Sequence, residues 1–200
     1  MTSSNTRIWR SLTLSEWVLM ALLAAANGVL TSGLSWLNKL LHSLGGPMLT
    51  SSIVGLYMIY GLLAAYIIRK PGAAMLTYAL GAVVQILVGT AYGAWSAIAA
   101  ALCYGIVIEP LLYLFRYRRY DWGAMLFIGL AAVPIWFVVS AFMFGYIYYE
   151  TWVLIATLVI RCLSGLVLCG ALTKLIGDRL APARAVRPFA LGKAYREQRG

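Results

Sequence analysis

Charged and amide side chains inside long apolar runs are the residues here with chemistry to do. Hydrocarbon offers them no solvation, so each needs a partner or a task. Two are ionisable, Glu109 and Arg161. Glu109 lies near the end of one apolar run and Arg161 near the middle of another, and an arginine side chain can bridge the modest difference in depth. They read as an ion pair or a carbonyl-satisfied arginine locking two helices together, or as groups that contact a substrate or transmit its binding. Gln85 is an amide deep in a third run. It shares a helix face with Tyr78, seven residues earlier, and faces either another helix or a polar ligand. Glu150, beside Tyr146, Tyr148 and Tyr149, reads as a wet loop residue, yet it is the one carboxylate placed to meet a cationic ligand arriving from outside. Ala21 with Ala25, and Ala24 with Gly28, put small side chains on a helix face, for packing inside the bundle or for docking a separate membrane subunit. Enzyme signatures are missing: one His, no acid pair on one face, no G-x-S-x-G, no Walker lysine. A transport cycle driven by ATP would need its motor on another chain.

The elements that hold these residues follow from composition. Of 200 residues, 62% are hydrophobic and 11% charged, and mean hydropathy is +0.85, which describes a polytopic membrane protein. No cleavable signal peptide is expected. Six transmembrane helices are predicted, over about 14–36, 51–68, 73–89, 95–115, 123–144 and 152–176, in one domain with a basic tail over 177–200. The loop 37–50 carries Lys39, His42 and Gly45-Gly46-Pro47. Pro110 and Pro134 are expected to bend their helices. The joint Arg69-Lys70-Pro71-Gly72 ends one helix and lets the chain reverse at a membrane surface. With both termini in the cytoplasm, every one of the 16 lysines and arginines except Lys39 and Arg161 falls on the inner side. That asymmetry sets the orientation in the cell membrane. The +10 charge follows this topology pattern, so nucleic acid is not the expected partner. Cys103, Cys162 and Cys169 all lie within apolar runs with no C-x-x-C pair; they read as small core residues, and neither a metal site nor a cofactor is expected. Trp36, Tyr92, Trp95, Tyr146, Tyr148, Tyr149 and Trp152 gather at outer ends, as an interfacial belt or as stacking surfaces for a flat ring.

With the helices placed, the sequence resembles a known family. Tyr66-Ile67-Ile68-Arg69-Lys70-Pro71-Gly72-Ala73-Ala74 is similar to the cytoplasmic joint of YkoE-type S components, the substrate-binding subunits of energy-coupling-factor (ECF) vitamin transporters. Further matches are Gly46-Pro47, Gly89 with Gly93, Glu109, Leu158-Val159-Ile160-Arg161 with Ser164-Gly165, and Ala190-Leu191-Gly192-Lys193, so the resemblance spans about 46–193. It implies an enzymatically inert six-helix subunit that captures thiamine or its hydroxymethylpyrimidine precursor from outside. A transmembrane coupling subunit, docked at an alanine face matched here by Ala21 and Ala25, and two ATPases then drive release inside. In the family's thiamine-binding pattern, acidic residues stand where this chain has Ser51, Tyr78 and Gln85. Thiamine is a cation, so their loss suits a neutral pyrimidine. The expected substrate contacts are Tyr57, Tyr78, Gln85, Trp95, Trp136 and Glu150. A solitary secondary transporter and a ligand-free structural subunit are the rival readings.

Overall fold

The first apolar run forms α1 (Leu14–Ser51), two helical segments that meet at a kink inside the stretch where a loop is predicted. Gly45 (φ −147°) and Gly46 (φ +61°) leave helical geometry for one turn. Pro47, whose fixed φ suits a helix start, then begins the segment that reaches Ser51. The chain is described from residue 12 to residue 197 in this computed structural model, so Arg7, Arg10 and Arg199 lie outside the described residues. At its N-terminus the helix closes a capping box, with the Thr13 N–H donating to the Glu16 carboxylate at 2.7 Å.

The predicted helix over 51–68 is helical only in its second part. The chain passes through a 3-10 turn, Val54–Tyr57, before α2 (Ile59–Ile68). Irregular backbone inside an apolar bundle must find its partners within the protein. Ser164 supplies them, its hydroxyl accepting from the Gly55 N–H at 3.0 Å and donating to the Ser52 carbonyl at 2.8 Å. Every residue of α2 from Tyr60 to Ile68 is buried. Protein rather than lipid surrounds this ten-residue helix, so it is free of the length a bilayer would impose.

The joint lies between α2 and α3 (Ala73–Val88). Arg69 adopts φ 54° and Gly72 φ 82°, the left-handed geometry that stops one helix and reverses the chain. The Arg69 guanidinium sits over the Tyr66 and Tyr120 rings at 5.4 and 5.0 Å. Lys70 pairs with Glu16 at 2.7 Å, tying the joint to the start of α1. Next come α4 (Ala94–Leu114), with Pro110 inside it, and a span broken at Ala132 into α5 (Trp122–Ala131) and α6 (Val133–Met143), with Pro134 just after the break. The last long helix runs as α7 (Thr151–Ser164), a π-helical turn (Gly165–Ala171) and α8 (Leu172–Leu180), and the basic tail ends in α9 (Ala190–Glu197).

Among the described residues four helical stretches are long and apolar enough to cross a membrane: Leu14–Ser51, Ala94–Leu114, Trp122–Met143 and Thr151–Leu180, with α2 and α3 as shorter apolar helices. Leu22, Leu87, Ile106, Phe142 and Ile155 turn outward from them, an apolar exterior that water would not tolerate over such an area. The chain is an all-helical, multi-pass membrane protein.

Two sets of small residues bring helices into close contact. A Cβ added at Gly28 would lie 2.3 Å from Val84 Cγ1, so α1 and α3 meet there. Gly129 of α5 faces Gly165 and Gly170 of the π turn with its backbone close to theirs. Ala24 and Gly28 are thus inside the bundle, whereas Ala21 and Ala25, on the next face of α1, are exposed.

Candidate functional site

Beside the part of α1 that precedes its break, near the α3–α4 and α6–α7 turns, the helices part around a cavity of about 70 Å³. One ordered water needs roughly 10–15 Å³, so the space exceeds any single-water site. Thr31, Ser35 and Asn38 reach it from α1, at helical spacing on one face. Tyr57 and Tyr60 come from the 3-10 turn and α2, Gln85 from α3, and Thr90 and Tyr92 from the turn after it. Ser96 and Tyr104 come from α4, Trp136 and Ser140 from α6, Tyr146 from the next turn and Arg161 from α7. The rim is anchored through α1: the Ser35 hydroxyl accepts from the Ala91 N–H at 3.0 Å, and Ser32 donates to the Gly89 carbonyl.

Arg161 is 3% exposed, and Glu109 is not its partner. Its Nε donates to Ser51 Oγ at 3.0 Å and its Nη1 to Ser140 Oγ at 2.5 Å. Both serines give their own hydrogen to a helix carbonyl, Ser51 to Pro47 at 2.6 Å and Ser140 to Phe137 at 3.0 Å. Their lone pairs are therefore turned toward the guanidinium. The Phe137 and Tyr146 rings lie 5.3 and 5.5 Å from its carbon, a further favourable setting for a cation. The ion pair considered from the sequence does not form. Glu109 instead accepts from the backbone N–H groups of Gly72 and Met75 and from the Tyr117 hydroxyl, binding the end of α4 to the start of α3. Burial and the neighbouring carboxylate push the Tyr117 phenol well up, which keeps it a donor.

Of the residues singled out from the sequence, Tyr57, Gln85 and Trp136 line the cavity together with Arg161. Tyr78 lies behind it, fully buried, its hydroxyl donating to the Met58 carbonyl at 2.6 Å and its ring edge-on to Tyr60 at 5.0 Å. Tyr78 also contacts Tyr104, which contacts Trp136 at 5.9 Å, so an aromatic chain leads from the core to the cavity wall. Trp95 is 79% exposed on the outer side of α4. Glu150 is exposed in the turn before α7, where it accepts from Trp152 Nε1. Two cavity atoms stand out: Tyr57 Oη and Asn38 Oδ1 are buried without a hydrogen-bond partner. A buried polar atom left unpaired costs about 1–3 kcal/mol, so both are poised to take a ligand's polar edge. The α1 stripe of Thr31, Ser35 and Asn38 was missed in the sequence reading, although its i, i+4, i+7 spacing within an apolar helix is a signal for it. Ser140 gave none, being one of many small residues in its run.

Three comparisons bear on this arrangement. A family described as the permease component of an ABC-type cobalt transport system matches residues 15–135. A relative from Bacillus subtilis (strain 168), named a putative HMP/thiamine permease protein YkoE, is 30% identical over 190 residues, 95% of each chain. A crystal structure of an S-component of an ECF transporter superposes with a TM-score of 0.89 at 30% identity, covering 94% of this chain and 95% of that one. Sequence and fold agree along nearly the whole length, and the chain belongs to the YkoE-type family of ECF-transporter S components, transport subunits that are not enzymes.

Proposed function

We propose that the chain captures hydroxymethylpyrimidine or thiamine in this cavity as the S component of an ECF importer, with a transmembrane coupling subunit and ATPases supplying the motor. The observation that carries the reading is the cavity's make-up: rings of Tyr57, Tyr60, Tyr104, Trp136 and Tyr146 around a few hydroxyl and amide groups, with Tyr57 Oη and Asn38 Oδ1 unpartnered. Rings stack on a flat heterocycle, and the polar atoms read its edge. Gln85 is assigned to that edge and Trp136 to stacking. Tyr78 shapes the wall through Tyr60 and Tyr104, while Trp95 and Glu150 belong to the rim and its surface. The buried guanidinium repels metal cations, which disfavours cobalt as the cargo despite the description of the matching family.

The topology belongs to the same reading. Six spans form one transmembrane domain, α2 and α3 crossing with the help of the turns that flank them. Both termini lie in the cytoplasm in this reading, which the Arg69-Lys70 joint and the arginine-rich tail support. The exposed Ala21 and Ala25 offer a close-approach face on the lipid side of α1, suited to a partner helix of the coupling subunit.

Equilibrium dialysis of the detergent-purified full-length chain against labelled hydroxymethylpyrimidine and labelled thiamine tests ligand capture. Saturable binding of at least one, at about one per chain, is expected. A folded chain that binds neither ends this reading. Co-expression with a coupling subunit and ATPases, followed by purification on the chain itself, tests the assembly, and its isolation as a lone subunit would favour a solitary transporter.

A further inference from the structure

The cavity holds a buried cation and no anion. The chain has six carboxylates, and each is engaged or exposed elsewhere. Glu16 pairs with Lys70, Glu109 receives the joint, Asp121 caps α5 and Asp178 pairs with Lys174. Glu150 accepts from Trp152, and Glu197 is exposed at the end of α9. Among the described residues Arg161 meets only neutral groups: the Ser51 and Ser140 hydroxyls, the Tyr146 phenol and two ring faces. Five N–H donors on a guanidinium outnumber these three hydroxyls, and a buried charge without a counter-charge is costly. The surplus donors border the cavity, because Arg161 is part of its wall.

We infer that Arg161 is the specificity-determining residue of this site, holding the acceptor edge of an uncharged or anionic heterocycle and rejecting cationic ones. This rests on the ligand-capture reading above and sharpens it: of the two candidate ligands, the neutral hydroxymethylpyrimidine is bound and the thiazolium-bearing thiamine is refused. A pyrimidine has what the site lacks. Its ring nitrogens and hydroxymethyl oxygen are acceptors for the guanidinium, and its exocyclic amine is a donor for the unpartnered Asn38 Oδ1. A phosphate ester of the same pyrimidine adds negative charge at that end and fits the same chemistry. Thiamine carries a fixed positive charge that no carboxylate in the cavity offsets.

Affinities of the full-length chain for hydroxymethylpyrimidine, its phosphate ester and thiamine, measured side by side at one ionic strength, test this. The wild type is expected to prefer the neutral pyrimidine over thiamine by about 100-fold, the scale of one like-charge repulsion at partial burial. Arg161→Lys keeps the charge and should keep the preference. Arg161→Gln should cut it to about 10-fold or less by weakening pyrimidine binding and admitting thiamine. Because Arg161→Gln removes a buried partner of two serines and can fail to fold, Ser51→Asp is the second arm. It places a carboxylate where a hydroxyl now meets Arg161 Nε at 3.0 Å and neutralises the charge in place, so it too should admit thiamine. Wild-type binding of thiamine as tight as that of the pyrimidine overturns the inference and leaves ligand capture standing. An unchanged preference in a folded Arg161→Gln or Ser51→Asp protein also overturns it. Binding of none of the three ligands removes the capture reading itself, and this inference with it.

Discussion

Replacing Gly129 by alanine should loosen the bundle at the point where α5 meets the π turn. An alanine Cβ there would stand 2.5 Å from the Gly165 carbonyl oxygen, 2.7 Å from the Gly170 nitrogen and 3.0 Å from its Cα. All three are backbone atoms, so no side chain can swing away. Ordinary van der Waals contact begins at 3.4 Å, and the two helices must part by roughly 0.9 Å to admit the methyl group. Overpacking of this kind costs about 1–3 kcal/mol, only partly offset by the better helix propensity of alanine. For a chain of this size that corresponds to a fall of about 2–10 °C in the apparent unfolding temperature. The assay is thermal unfolding of the purified protein in one detergent at one scan rate, since such unfolding is seldom reversible. Gly33→Ala is the control: nothing lies within 4 Å of a Cβ there, and the protein should be unchanged or slightly more stable. Equal unfolding temperatures for Gly129→Ala and Gly33→Ala would refute the close contact between α5 and the π turn. Because the same span carries Trp136 and Ser140, Gly129→Ala should also weaken ligand binding, while Gly33→Ala should not.

Glu109→Ala removes the acceptor of two backbone N–H groups and a tyrosine hydroxyl, and should cost about 2–3 kcal/mol of stability with little change in ligand affinity; thermal unfolding and dialysis on the same sample check both. Ala25→Phe fills the exposed face of α1 and should abolish co-purification with the coupling subunit while the lone chain binds ligand as before, and full assembly by the variant would argue against that face.

What could be read from the sequence was what short stretches decide. Arg69, Pro71 and Gly72 end α2 at Ile68 and start α3 at Ala73 through their own backbone preferences and charge, so the joint was visible residue by residue. The apolar runs were equally visible, since hydrocarbon demands them. The stretch 37–50 was not, because Gly45-Gly46-Pro47 reads as a loop in isolation and only the packed structure shows one distorted turn with helix on both sides. The break at 52–58 depends on Ser164, more than a hundred residues away, and no local pattern announces it. The surroundings of Arg161 were hidden for the same reason: a charge in a span says that a partner exists, and the sequence supplied Glu109 as the other ionisable group within a span. The structure satisfies each separately, Glu109 with backbone at the surface joint and Arg161 with two serines beside a cavity. Gln85 and Trp136 stood out by type alone, while Tyr78 shares their character and sits behind the wall, a distinction that depends on which way α3 is turned.

The central claim is that a ligand seats among the rings of this cavity, and tryptophan emission measures it most directly. Of the seven tryptophans in the chain, Trp136 lines the cavity and Trp95 faces outward. Titration with hydroxymethylpyrimidine should quench the emission of the wild type saturably and that of Trp95→Phe by the same amount, while Trp136→Phe loses most of the signal, with occupancy followed separately by dialysis. Quenching that persists in Trp136→Phe and disappears in Trp95→Phe would put the ligand outside the cavity and contradict the account.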